Sequence, residues 1–118
     1  MQTNDLQALA LKALDDLQAI DTTVIDVRPL TTVTDLMIVC TGRSSRHIKS
    51  IADNLVAQAK EHNVTYLHLE GDETSDWVLV DMGDIVVHIM LATARSFYDL
   101  ESLWEPMSTL QMQVQEVR

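Results

Sequence analysis

Cysteine is nearly absent from this chain. Cys40 stands alone, which excludes an internal disulfide and any metal site built from several thiolates. It lies in the apolar run DLMIVC, where a small buried hydrophobe is expected rather than a reactive thiol. Three glycines and two prolines leave no room for a flexible linker, and nothing is low-complexity or repetitive. No apolar run approaches the ~20 residues needed to cross a bilayer. The opening stretch MQTNDLQALALKALDDLQAI lacks both the basic start of a signal peptide and the arginines of a transit peptide. No membrane partner is expected, and a cytoplasmic protein is the simplest fit. Basic residues are scarce as well: eight Lys and Arg against eighteen Asp and Glu give a net charge of −10. Such a surface repels a phosphate backbone and attracts a basic partner. No direct nucleic-acid specificity follows; on a nucleic-acid machine this chain would touch protein.

What is present fits one globular domain. A chain of 118 residues, 47% apolar and 22% charged, is long enough to bury a core and too short for a second module. Leu6, Leu9, Ala10, Ala13, Leu17 and Ile20 recur at steps of three and four, so residues 3 to 20 read as an amphipathic helix. TVIDVR, residues 23 to 28, reads as a strand, and Pro29 with the following threonines turns the chain. DLMIVCTG, residues 35 to 42, is a nearly unbroken apolar run and reads as a central strand covered on both faces. Residues 44 to 62 carry a helical stripe through Ile48, Ile51, Ala52, Leu55, Val56 and Ala59, capped by Ser44 or Ser45. YLHLEG is a short strand, making this helix a crossover between parallel strands. DWVLVDMGDIVVHIM is a hairpin, and a last helix is expected through ATARSFYDLESLW to about Trp104, with Phe97, Leu100 and Trp104 on a core-facing side. The order predicts a single α/β, or α+β-like, domain: a mixed β-sheet with packed helices over residues 1 to 106, then a tail, 107 to 118.

The hairpin carries the residues that need an explanation. With Met82-Gly83 as a two-residue turn, Asp81 faces Asp84, Leu79 faces Val86, and Trp77 faces His88. Alternation then makes one face wholly aliphatic, through Val78, Val80, Ile85, Val87 and Ile89. The other holds Trp77, Leu79, Asp81, Asp84, Val86, His88 and Met90. Asp84 and His88 are about 13 Å apart along a strand, whereas ligands of one ion lie about 2 Å from a common centre. No shared metal site follows, and Trp77 gives His88 no partner for acid-base work. Two readings of this face stay open: a helix of the same chain covers it, or it is an exposed patch with an aromatic anchor and an acidic rim. His62 and His68 read as capping or surface residues.

TGRSSRH, residues 41 to 47, is a Gly-Ser turn into a helix. It reads as a helix cap; anion binding through Arg43, Arg46 and His47 is the alternative. The turn is similar to the Gly-Ser signature of nucleotidyltransferases, but the acids those enzymes pair at alternate positions on the next strand are missing from YLHLEG and WVLVDMGD. A nucleotide-binding enzyme of that topology remains the competing class. A scaffold that self-associates through Trp77, giving a homodimer of the free protein, is a third reading.

Taken together, TDLMIVCTGRSSRHIKSIAD, the Glu70-Gly71 pair, DWVLVDMGDIVVHIM and RSFYDLESLW resemble the ribosomal silencing factor family, also called RsfS or Iojap, over about residues 5 to 105. The resemblance implies a nucleotidyltransferase-like topology without catalysis, cofactor or metal. It implies a translational repressor that binds the large ribosomal subunit through its ribosomal protein fourteen and blocks joining of the small subunit under nutrient limitation and in stationary phase. It further implies a contact surface of Trp77, Leu79, Asp81, His88, Met90, Tyr98 and Glu101, with Met90 standing where the family often has Phe.

Overall fold

The computed structural model describes residues 2–99. Helix α1, Thr3–Asp16, buries Leu6, Leu9, Ala10, Ala13 and Leu14 along one side. It ends a turn before the apolar spacing suggests. Leu17 is the C-cap and Gln18 takes a left-handed φ of 61°, so Ile20 opens strand β1, Ile20–Asp26, instead of extending the helical stripe. Strand β2, Leu36–Gly42, is buried at every position, as its unbroken apolar run predicts. Helix α2, Ser45–Glu61, starts at Ser44, whose Oγ accepts from the His47 amide at 3.1 Å. Strands β3, His68–Glu70, β4, Trp77–Asp81, and β5, Ile85–Leu91, follow, and helix α3 spans Ala92–Tyr98.

The five strands form one mixed sheet in the order β1-β2-β5-β4-β3, with β2 and β5 parallel and the other neighbours antiparallel. β3 therefore runs in the direction of β2, with β5 and β4 between them, and α2 makes the crossover. Helices α1 and α2 cover one face. Their leucines, isoleucines and alanines meet Ile38, Cys40, Val78, Val80, Ile85, Val87 and Ile89 in the main core. Each large aliphatic side chain fully buried there contributes about 1.5–3 kcal/mol. Asn54 of α2 ties the two helices together by donating to the Ala13 carbonyl at 2.9 Å.

The opposite face has a smaller cluster: Ile25, Val27, Met37, Val39 and Met90 of the sheet and its loops, closed by Ala94 of α3, with Trp77 packed against its side. α3 is fixed by Arg95, which donates to the Asp21 carbonyl at 2.6 Å and to the hydroxyls of Thr41 and Thr23 at 3.0 and 3.1 Å. The helix closes at Tyr98. Asp99 adopts φ 50°, ψ 51° and donates its amide to the Arg95 carbonyl. A continuous helix to Trp104 is thereby corrected, and Phe97, expected in the core, is 82% exposed. Leu100, Trp104 and the tail 107–118 lie outside the described residues.

Candidate partner-binding face

The hairpin turn sits one residue later than the sequence suggests. Met82 donates to the Ile85 carbonyl at 2.8 Å, so Gly83 and Asp84 are the turn residues, and Gly83 takes a φ of +84°. The Asp81 carboxylate secures the turn by accepting the Gly83 amide at 2.8 Å. Each cross-strand partner moves by two: Trp77 lies opposite Met90, Leu79 opposite His88 and Asp81 opposite Val86. A shift of two leaves every side chain on its original face. The aliphatic set accordingly packs under the helices, and the mixed set lies on the other side of the sheet.

The pairings continue across the sheet. Glu70, Leu79, His88, Val39 and Thr23 lie side by side in one row, and His68, Asp81, Val86, Met37 and Ile25 in the next. Neither α1 nor α2 covers these rows, because both pack on the opposite face. Trp77, Leu79, Asp81, Val86 and His88 are partly exposed, and Tyr98 is 50% exposed. Met90 differs: it is fully buried beneath Trp77, so the expectation that it forms part of a contact surface is corrected for its side chain. Glu101 lies outside the described residues.

Trp77 is the centre of this arrangement. Its Nε1–H donates to Nδ1 of His88 at 3.0 Å, one diagonal step across the strands. Its ring lies 4.7 Å from Tyr98 and 5.6 Å from His88, tilted by 48° to each. Phe97 stands edge-on to Tyr98 at 5.1 Å and adds a fourth ring that the sequence did not assign to this face. A helix of seven residues has too few turns for its apolar spacing to reveal which side is free. Burial holds the His88 imidazole down to about 4, so it is neutral at physiological pH. The indole is a hydrogen-bond donor with no useful acidity, and this pair has no proton to exchange.

Beside Trp77 and Leu79, the β3–β4 connection forms an open groove of about 780 Å³ lined by Glu70, Asp72 and Asp76 among others. Hydrogen bonds from the Thr74 hydroxyl and amide hold the Asp72 carboxyl below its ordinary range. These acids were not assigned to the site from sequence. The β3 register, which sets Glu70 against Leu79, is what brings them there.

The TGRSSRH turn is occupied by its own bonds. Ser44 Oγ takes the His47 amide, and His47 Nδ1 accepts the Arg43 amide at 2.9 Å while Nε2 donates to the Leu17 carbonyl at 2.8 Å. The turn joins the start of α2 to the end of α1, as a cap would. Burial pushes the Cys40 thiol up to about 12, so it is inert. Among the described residues no three His, Cys, Asp or Glu side chains gather where an ion could be held, and no helix is long and apolar enough to cross a membrane.

A mixed sheet carrying its two long helices, α1 and α2, on one side and a ring-centred, acid-edged face beside short α3 on the other defines an α+β domain organised around a presented surface. The chain belongs to the ribosomal silencing factor family: the family model described as ribosomal silencing factor during starvation matches residues 1–118. It is 41% identical over 104 residues to the ribosomal silencing factor RsfS of Chromobacterium violaceum, covering 88% of this chain and 85% of that one. It is 44% identical over 94 residues to the Haemophilus influenzae protein of the same name, covering 80% and 92%. The mouse mitochondrial assembly of ribosomal large subunit protein 1 is 37% identical over 87 residues, 71% of this chain and 38% of the mouse protein. A crystal structure of a Chromobacterium violaceum protein superimposes with a TM-score of 0.86 at 41% identity, covering 89% of this chain and 88% of that chain. Membership carries a ribosome-associated silencing role, and these bacterial relatives are named as silencing factors.

Proposed function

We propose that this protein represses translation in the cytoplasm by binding the large ribosomal subunit through its ribosomal protein fourteen and sterically preventing the small subunit from joining. The single observation that carries this reading is the placement of Trp77. A large aromatic ring, partly exposed, is braced by His88, Tyr98 and buried Met90 on the sheet face that α1 and α2 leave uncovered. Rigid aromatic anchors of this kind dominate protein interfaces, and truncating one costs about 2–4 kcal/mol of binding.

Leu79 and Tyr98 extend the apolar contact, and Asp81 with the groove acids supplies charge complementary to a basic protein surface. Glu101 belongs to the same proposed surface. Met90 supports it from beneath. The large subunit is favoured as target because the mouse relative is named for assembly of that subunit, and repression under nutrient limitation is supported by the family description, which specifies starvation. The block needs no turnover: a bound domain of this size occupies space that the small subunit requires. A free homodimer would pair through the same face, so dimer and ribosome complex would exclude one another.

Co-sedimentation of the purified chain with isolated large and small subunits tests the proposal. Wild type should pellet with the large subunit alone, and Trp77→Ala should remain in the supernatant while keeping a folded circular dichroism spectrum. Wild type that stays unbound at low salt would remove the proposed function.

A further inference from the structure

We infer that His88 is a positioning residue: its Nδ1 lone pair fixes the indole of Trp77 in the orientation that docks, and it acts through Trp77 instead of through contact of its own. The inference rests on the docking role of Trp77 proposed above. Its geometric basis is independent of it.

Trp77 lies opposite Met90, not opposite His88, so nothing in strand pairing alone directs the indole toward His88. The ring nevertheless crosses the diagonal and places Nε1–H 3.0 Å from Nδ1. An indole has one donor and no acceptor, and an imidazole can receive that proton only as the neutral tautomer with hydrogen on Nε2. The bond therefore selects one ring orientation and one tautomer together. Without it, the ring keeps its apolar contacts with Met90 and Tyr98 and loses the direction they do not set. Fixing an anchor before binding removes ordering cost from the association step.

Among the described residues, the groups around His88 leave it the titrating member of this bond. Leu79 and Val39 flank it in its row, and on β2 the diagonal neighbours are Met37 and Thr41, none of which titrates. On β4 the other diagonal neighbour is Asp81, whose Oδ1 is engaged by the Gly83 amide. Tyr98 of α3 reaches Trp77, and Glu70 lies one strand further, beyond Leu79. Burial keeps the imidazole neutral far below its ordinary range, which holds the acceptor available throughout physiological pH.

Three substitutions separate positioning from simple packing. In His88→Asn the amide oxygen falls near the place of Nδ1; in His88→Gln it falls near Nε2; in His88→Phe no acceptor remains. The full chain, labelled with nitrogen-15, reports the Trp77 indole Nε1–H resonance, assigned against Trp104→Phe, and the same samples are tested for binding to the large subunit. His88→Asn should keep the indole resonance shifted and bind close to wild type. His88→Gln and His88→Phe should move that resonance toward the free-indole position and weaken binding roughly tenfold, the worth of one lost hydrogen bond. Should His88→Phe fail to fold, the contrast between Asn and Gln still decides. Equal binding by all three variants, with Trp77→Ala inactive, overturns the positioning role and leaves the proposed function standing. Wild type that binds no subunit overturns both.

Discussion

Gly42 and Ile48 approach each other so closely that a β-carbon on Gly42 would strike Cγ2 of Ile48, with the Ile48 amide 3.2 Å away. The last residue of β2 must lack a side chain for the first turn of α2 to lie against it. Ile48 is wholly buried, and its amide is committed to the Ser44 carbonyl at 3.0 Å, so neither partner can withdraw cheaply. Gly42→Ala should destabilise the domain by about 1–3 kcal/mol, the usual cost of overpacking. Urea unfolding followed by circular dichroism measures it, and an unchanged midpoint would contradict the contact.

Arg95→Met should loosen α3 selectively. The guanidinium joins the helix to β1 and β2 through the Asp21 carbonyl and two threonine hydroxyls, one of them on buried Thr41. Losing these charged donors costs about 1.5–3 kcal/mol. Amide hydrogen exchange should rise across 92–98 and stay low in β2 and α2.

The buried imidazole of His88 makes stability depend on acidity. In the unfolded chain it takes up a proton near its ordinary value of 6.5, and in the folded chain only near about 4. Between those values the unfolded state binds more protons, so stability is full above pH 6.5 and falls as pH drops toward 4. The loss is on the order of 3 kcal/mol and levels off below, where both states are protonated. His88→Asn should flatten this part of the profile in urea titrations at successive pH values; a variant profile that tracks wild type would locate the effect elsewhere.

Binding and folding should respond differently to the exposed rings. Phe97 at 82% exposure and Tyr98 at 50% offer surface at little structural cost. Phe97→Ala should leave stability within about 0.5 kcal/mol, as exposed substitutions do, yet weaken association with the large subunit. Tyr98→Ala should weaken it more, because it also removes a brace from Trp77. Calorimetric titration of these variants, with thermal melts alongside, separates the two effects.

Met90→Ala should reverse that pattern. It removes a fully buried side chain from the smaller cluster and should cost about 2–5 kcal/mol of stability. Its effect on binding should be no larger than the loosening of Trp77 explains.

Much of the fold could be read from apolar spacing, and the failures share a cause. The aliphatic and mixed faces of the hairpin were legible although its register was not, because an even shift preserves alternation. The turn is ambiguous in sequence because Met82 and Asp84 both flank a glycine, and the Met82–Ile85 and Asp81–Gly83 bonds are what show which pair is central. The ends of α1 and α3 were placed too late for a related reason. Gln18 and Asp99 enter left-handed conformations that side-chain periodicity does not encode. In the site, Trp77, Leu79 and His88 could be named from alternation, whereas the burial of Met90 depends on α3 and β2 packing over it. Of the groove acids, Glu70 ends a three-residue strand too short to carry a pattern, and Asp72 and Asp76 lie in the connection that follows it.

Because α1 and α2 sit on one side of the sheet and the ring cluster on the other, the two surfaces can diverge separately. Residues beneath the helices answer to one another through dense mutual contact and can change only in concert. Leu79, Asp81 and Tyr98 answer mainly to whatever lies across from them, so their replacements should track changes in a partner. A hybrid chain carrying the helices of one relative and the opposite-face residues of another should fold like the first and choose partners like the second.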